Sequence, residues 1–534
     1  MVSTGIVAGQ VGLAAQGSTL PIIPQPARVE RADGAFVIDE NTTIVADAAS
    51  MAEARKLQDC LAPAMGFRLK LVENNQSQGG AITLKTNDAF RGPSDEGYSL
   101  SVAPDGILIG AKARPGLFYG IQTLRQLLPP AIFRLARVEG VRWEVPCVRI
   151  EDQPRFKWRG LLVDTARHFV PKSSLLKFID TMALHKFNSL QLHLTDDQGW
   201  RIEIKKYPKL TEIGAWRDET LVGHISATPW QFDGRRHGGF YTQDDIRETV
   251  RYAADRHINI VPEIEMPGHA RAAISAYPHL GCNPDTPLRP WTIWGVCPDI
   301  FCPTEQTVAF MQDVLAEVLQ LFPSPYIHIG GDEAVKDQWK ASPVVQARIK
   351  ELGLKDEAEM QSWFVKQMDT FLTKQGRRLV GWDEILEGGL APGAVVMSWR
   401  GEKGGITAAK SGHDVVMTPV EDTYLNLYQG PKDEEPLSFV GDLPLRKVYM
   451  YEPIPADLSE EESLHVLGTQ GQLWSEYIPN PRQLEYMAYP RAAALAEVAW
   501  SAKEQRGFDS FLDRLRQHLQ RLKIMDVNFR PLDE

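Results

Sequence analysis

Beyond Pro154 the chain repeats one unit: a short apolar run, a polar or aromatic break, then an amphipathic stretch. Eight runs suit strands: Trp158 to Asp164, Ser189 to Leu194, Ile258 to Ile264, Tyr326 to Ile329, Arg378 to Trp382, Ala394 to Trp399, Asp414 to Thr418 and Val466 to Leu473. Helical spacing appears between them. From Pro171 to Lys186 a proline takes a first-turn position and Leu175, Leu176, Ile179, Met182 and Ala183 share one face; Met311, Val314, Leu315, Val318, Leu319 and Phe322 do the same later. About eight such units in one continuous region predict an α/β fold of the (β/α)₈ barrel type. An open doubly wound sheet is disfavoured, since the sequence has no Gly-x-Gly-x-x-Gly phosphate turn.

The preceding region reads differently. From Pro21 to about Cys147, alternating strands such as Phe36-Val-Ile and Gly97-Tyr-Ser-Leu-Ser-Val are mixed with helical stretches near Ala52 to Met65 and Gly116 to Leu128, a small α+β domain. The proline-bearing stretch Val145 to Pro154 is the expected boundary. Although 534 residues by length alone imply three or four domains, a barrel with insertions absorbs well over 250, so two are expected. The division is 1–20 as a leader or unstructured N-terminus, 21–150 as the α+β domain, and 151–534 as the barrel with C-terminal helices. Nothing is charged before Arg28, and Gly5 to Ala15 is mildly apolar, but a basic n-region is missing and Gln10 interrupts the run. A trimmed secretion signal and a simple leader both stay open.

Net charge of -11 and a pI near 5.7 argue against a nucleic-acid partner. No uncharged apolar run reaches the roughly 18 residues a membrane helix needs, so no membrane partner is expected. Five cysteines without a Cys-x-x-Cys pair make a zinc site improbable. Cys282, Cys297 and Cys302 fall in one loop-like region, where one disulfide and three reduced thiols are both open.

In a barrel, residues at the carboxyl ends of strands converge on one mouth. These ends read Asp164-Thr-Ala-Arg167-His168; His193-Leu-Thr-Asp196-Asp197-Gln-Gly-Trp200; Glu263-Ile-Glu265-Met-Pro-Gly-His269; Asp332-Glu333; Trp382-Asp383-Glu384; Trp399-Arg400; Tyr424-Leu-Asn426; and Trp474-Ser-Glu476. Singly, each has a structural explanation: an ion pair, a satisfied loop histidine, a core tryptophan, or, for Asp332-Glu333, a helix cap and first-turn acid. Together they describe a sugar pocket, because pyranose rings present apolar faces to aromatic rings and polar edges to hydrogen-bonding groups. Gly330 and Gly331 lack the Cβ atoms that would block a close-approaching group, and the two acids after them can hold different protonation states.

Six motifs carry a specific resemblance: Arg155-Phe-Lys-Trp-Arg-Gly160, Asp164-Thr-Ala-Arg-His-Phe169, His193-Leu-Thr-Asp-Asp-Gln-Gly-Trp200, Pro267-Gly-His269, His328-Ile-Gly-Gly-Asp-Glu333 and Trp474-Ser-Glu476. The region from about Pro154 to Trp500 resembles the catalytic barrel of glycoside hydrolase family 20, the β-N-acetylhexosaminidases, and the α+β segment resembles its usual non-catalytic companion. The resemblance implies an exo-acting, retaining hydrolase in which the substrate's 2-acetamido oxygen attacks the anomeric carbon, an exception to the paired-carboxylate scheme of most glycosidases. It assigns Glu333 as general acid and base, Asp332 as the group that orients the acetamido N–H, and Tyr424 to the acetamido carbonyl. It makes Asp196 and His269 the residues that tune the acid. Arg167 and Glu476 would grip the outer hydroxyls, and Trp382, Trp399 and Trp474 would wall the pocket. Asn426 stands where many relatives have Asp, which leaves preference between neutral and 6-charged sugars open. Cys282 and Cys302 match a pair bonded in some bacterial relatives. No metal or organic cofactor is expected; the partner is a small carbohydrate, the assembly a monomer or homodimer, and the location periplasmic or secreted, or else the bacterial cytoplasm. The rivals are a sugar-binding protein on a silent barrel and a metal-dependent hydrolase, the latter weakened by the lack of a His-x-His or His-Glu-x-x-His pair.

Overall fold

A computed structural model describes residues 20–74, 79–86, 90 and 92–533; the expected leader, apart from residue 20, lies outside them. Seven strands come first: β1 (Arg28–Val37), β2 (Thr43–Ala46), β3 (Lys70–Glu73), β4 (Ala81–Thr86), β5 (Tyr98–Ala103), β6 (Gly106–Ala111) and β7 (Glu144–Asp152). They form one mixed sheet in the order β1-β7-β5-β6-β4-β2-β3. Helices α1 (Met51–Met65) and α2 (Arg114–Leu127) pack on it. Helix α2 places its proline in the first turn, where the missing N–H costs nothing, and buries Leu117, Phe118, Ile121 and Leu124.

The barrel follows, from β8 (Trp158–Asp164), β9 (Ser189–His193), β10 (Asn259–Glu263), β11 (Tyr326–His328), β12 (Arg378–Trp382), β13 (Val395–Ser398), β14 (Val415–Met417) and β15 (Val466–Leu473). All neighbours are parallel, and β15 closes back on β8. Each expected apolar run contains one of these strands, because a parallel strand covered by helices outside and side chains inside must be apolar on both faces. Alternation sorts them: Leu162 joins Val261, Val380, Val395, Met397 and Val416 inside the barrel, while Leu161 and Val163 face the helical layer. In α3 (Lys172–Leu184), Pro171 sits one place earlier than expected, at the N-cap. Phe178 takes the buried place there and Leu176 is only half-buried, since a 3.6-residue period centred on Leu175, Ile179 and Met182 leaves Leu176 at the margin of the face.

Polar bolts join the two domains. Asp152, buried at the end of β7, accepts from Tyr98 Oη (2.7 Å), Lys186 Nζ (2.9 Å) and Trp500 Nε1 (2.9 Å). Arg159 of β8 forks onto Glu96 at 2.7 and 2.9 Å. Among the described residues no helix is long and apolar enough to cross a membrane.

A buried histidine pair makes the fold acid-sensitive. His185, after α3, has Nδ1 2.7 Å from the Thr181 carbonyl and Nε2 2.8 Å from Nε2 of His518, whose Nδ1 faces Arg521. One proton arrangement satisfies all of this with both rings neutral: His185 donates to Thr181 and accepts from His518, which accepts from Arg521. Burial holds His185 down at about 4 and His518 well below the ordinary value. The unfolded chain therefore binds protons below about pH 6.5 that the fold refuses, so the stability present above that pH drains as pH falls toward 4. Each ring contributes up to about 1.4 kcal/mol per pH unit in that window. Thermal melts between pH 7 and 4 should show Tm falling, with a shallower slope for His518→Gln; equal slopes would remove the pair from the effect.

Candidate active site

After β11 the chain turns through two left-handed glycines, Gly330 (φ 69°) and Gly331 (φ 95°), and a left-handed Glu333 (φ 48°). The glycines are required twice over. Their φ values disfavour side chains, and a Cβ would stand 1.7 Å from Glu265 Oε2 at position 330 and 2.7 Å from Ile385 Cγ2 at position 331. The group that approaches Gly330 closely is thus the Glu265 carboxyl. A non-glycine residue at φ 48° stores strain of about 1–3 kcal/mol, a cost concentrated here on the expected acid.

Strand alternation would point adjacent residues apart, yet Asp332 and Glu333 converge: each has an oxygen 3.5 Å from Nε2 of His269. The chain has left the strand by then, and the left-handed turn swings both carboxylates to one side. Their surroundings still differ, the Asp332 side chain being 13% exposed and that of Glu333 35%.

His269 Nδ1 lies 3.0 Å from Asp197 Oδ2 and 3.3 Å from Asp196 Oδ1. Burial opposes a charge on His269, but Asp196 and Asp197 outweigh it and raise its pKa well above the ordinary value. Asp197, to which the resemblance assigns no role, is thus the nearer partner. Asp196 is occupied on its other oxygen by Arg167 Nη2 and His193 Nε2, both at 2.8 Å. Burial works against that anion too, and the charges of Arg167 and His269 hold it well below the usual carboxylate range. A doublet of aspartates after β9 was legible in the sequence; which member faces the histidine depends on the tight Thr195–Asp196/Gly199–Trp200 pairing that follows the strand.

Four aromatic side chains form a box beside the acids. Trp399 and Tyr424 lie parallel (6°) with centroids 6.4 Å apart, Trp474 stands edge-on to Tyr424 at 6.4 Å, and Trp382 is tilted against Trp474 at 5.8 Å. Carboxylates anchor two of the indoles: Trp382 Nε1 donates to Glu263 (2.9 Å) and Trp399 Nε1 to Glu384 (3.0 Å). Burial, then the charge of Asp332, lifts Glu384 to about 8. Burial likewise pushes the Tyr424 phenol well above its ordinary value, so it stays a neutral donor.

The Arg167 guanidinium lies over Trp474 at 5.1 Å and bridges Asp164 (3.3 Å) as well as Asp196. Burial lifts Glu476 to about 7, the nearby Arg167 charge opposing. Ser438 Oγ donates to the Asn426 carbonyl, tying that residue down. Arg167 Nε, Asp332 Oδ1, Asn426 Oδ1 and Glu476 Oε2 are buried polar atoms without a hydrogen-bond partner in the protein. Each such atom costs about 1–3 kcal/mol unless a ligand or water meets it. Their concentration around one aromatic box marks a site for a molecule with several hydroxyl or amide groups.

Among the described residues, three trios bring potential metal ligands within 4.8 Å of one another: His193, Glu263 and Glu265; Asp196, Asp197 and His269; His269, Asp332 and Glu333. In each the histidine faces carboxylates with both ring nitrogens. A doubly protonated ring satisfies that arrangement, whereas a metal ligand needs one nitrogen bare. Cys282, Cys297 and Cys302 are free cysteines, and Cys282 packs against the apolar cluster that buries Cys302.

The sequence matches glycosyl hydrolase family 20, catalytic domain, over residues 156–503, and the same family's domain 2 over residues 19–153. The chain belongs to glycosyl hydrolase family 20. This family-20 chain is 44% identical over 531 residues to a beta-hexosaminidase of Porphyromonas gingivalis, an alignment that takes in 99% of the chain but only 66% of the relative's length. Its fold superposes on the GH20 beta-N-acetylhexosaminidase of Streptomyces coelicolor A3(2) with a TM-score of 0.82 at 33% identity, over 96% of this chain and 98% of that one. For the GH20 exo beta-N-acetylglucosaminidase of Vibrio harveyi the TM-score is 0.84 at 34% identity, over 98% and 81%.

Proposed function

We propose that the chain is an exo-acting, retaining β-N-acetylhexosaminidase that releases terminal β-linked N-acetylglucosamine or N-acetylgalactosamine by substrate-assisted catalysis. The observation that carries the reading is the acid pair on His269 beside the aromatic box. The more buried carboxylate, Asp332, is suited to accept the acetamido N–H. The more exposed one, Glu333, is suited to protonate the leaving oxygen and then to draw a proton from water. Tyr424, a neutral phenol in the box, donates to the acetamido carbonyl as that oxygen closes on the anomeric carbon. Arg167, Asn426 and Glu476 meet the outer hydroxyls with the polar atoms the protein leaves unpaired. Two relatives support this: one is named a beta-hexosaminidase, and the Vibrio harveyi exo-enzyme was solved with N-acetylglucosamine.

The test is hydrolysis of a chromogenic N-acetyl-β-glucosaminide with and without chelator, the anomer of the first product read by NMR. Chelator-insensitive release of the β-anomer is expected. No turnover would favour a sugar-binding barrel, chelator-sensitive turnover a metalloenzyme, and the α-anomer an inverting mechanism.

At Asn426 the neutral amide removes a charge that many relatives place near the sugar's 6-position. Asn426→Asp should therefore lower kcat/KM on 6-sulfated relative to neutral N-acetylglucosaminides through like-charge repulsion. An unchanged ratio would place the residue away from that position.

A further inference from the structure

Beneath the site lies a carboxylate that the proposed mechanism does not use. Glu263, the last residue of β10, is fully buried, and its two oxygens serve different neighbours. Oε2 accepts from Gln191 Nε2 and His193 Nδ1, both at 2.8 Å. Oε1 accepts from Trp382 Nε1 at 2.9 Å and has His328 Nδ1 at 3.1 Å. The Oε1 side leads to the aromatic box, since Trp382 is one of its walls. The Oε2 side leads to the acids: His193 passes its other nitrogen to Asp196, Asp196 stands 3.3 Å from His269, and His269 faces Asp332 and Glu333.

We propose that Glu263 is a positioning residue that sets both halves of the reaction at once, fixing the Trp382 wall against the acetamido group with one oxygen and holding the His193–Asp196–His269 chain on Glu333 with the other. The inference rests on the functional reading above. Its chemistry is specific to a carboxylate. An amide has one acceptor oxygen and one NH₂, so Glu263→Gln must turn an N–H either toward the Trp382 N–H or toward the Gln191 and His193 donors, and break that arm.

The charge has a second consequence. Both nitrogens of His193 face carboxylates, so the ring has to donate from both and carry a proton. Burial opposes this, but Glu263's charge and the hydrogen bonds of Asp196 and Glu263 lift His193 to about 10. The other acidic groups facing the ring are Asp164 and Glu265, the latter 3.9 Å away. Without the Glu263 charge, His193 gives up its proton at lower pH. Above that pH the ring no longer donates to both Glu263 and Asp196, the chain held on Glu333 loosens, and the alkaline limb of activity moves down.

The experiment measures kcat/KM against pH, together with the inhibition constant of a thiazoline that copies the bicyclic intermediate. Glu263→Gln should lower kcat/KM about 10- to 100-fold, the span of one lost charge-assisted hydrogen bond. It should also move the alkaline limb down by roughly one pH unit. Glu263→Asp keeps the charge but not the reach, so it should leave the limb in place while raising the inhibition constant. A limb unmoved in Glu263→Gln would overturn the proposal, since a mere strut lowers the whole profile without shifting it. If neither variant folds, His193→Gln decides: a shifted limb is expected, and an unmoved one overturns the inference. A wild-type enzyme that releases no N-acetylhexosamine would instead sink the functional reading itself, which keeps the two failures apart.

Discussion

Glu333→Gln is expected to lose roughly 10²- to 10⁴-fold in rate on substrates with poor leaving groups, the usual range for removing a general acid. A sugar alkoxide cannot depart unprotonated, whereas an activated aryl oxide can, so the loss in the cleavage step should shrink as the leaving group improves. The geometry fits that role: Glu333 is the more exposed acid of the pair and is backed by His269 at 3.5 Å, so it can meet both an aglycone oxygen and an incoming water. Single-turnover rates over a series of aryl glycosides give the slope directly. Equal losses for good and poor leaving groups would take Glu333 out of the acid role.

What the sequence made legible follows from local rules. Each barrel strand was readable because a parallel strand is apolar on both faces, and the strand-end residues were readable because a barrel sends them to one mouth. Gly330 and Gly331 announced a close approach, although only the fold showed that the approaching group is Glu265. Contacts made at long range were harder to see. Glu263 and Glu384 anchor Trp382 and Trp399 from behind, across 119 and 15 positions of sequence. Nothing in their own neighbourhoods separates them from ordinary strand-end acids. The choice of Asp197 over Asp196 as the nearer partner of His269 turned on side-chain direction after the strand ends, where the period of two no longer applies. The order of the seven-stranded sheet was equally hidden, because β7 is inserted between β1 and β5 from far along the chain.

Asp332→Asn should keep the fold and much of the ground-state binding yet lose about 2.7 to 4 kcal/mol of transition-state stabilisation, by analogy with removal of one preorganised electrostatic group. Its carboxylate leaves Oδ1 buried and unpaired in the protein, next to the box where the acetamido group would sit. As the acetamido oxygen attacks, positive charge grows on the ring that forms and the N–H becomes more acidic, so a carboxylate gains most in the transition state and an amide gains little. The same logic ties rate to the acetyl group: successive fluorination withdraws density from the attacking oxygen and should slow the wild-type enzyme progressively, while an enzyme nucleophile would be nearly indifferent. A thiazoline mimic of the intermediate should bind far more tightly than substrate, as transition-state analogues do, and should lose much of that advantage in Asp332→Asn. Trapping a covalent sugar ester on any Asp or Glu by mass spectrometry, with rates insensitive to fluorination, would show instead that this chain supplies its own nucleophile.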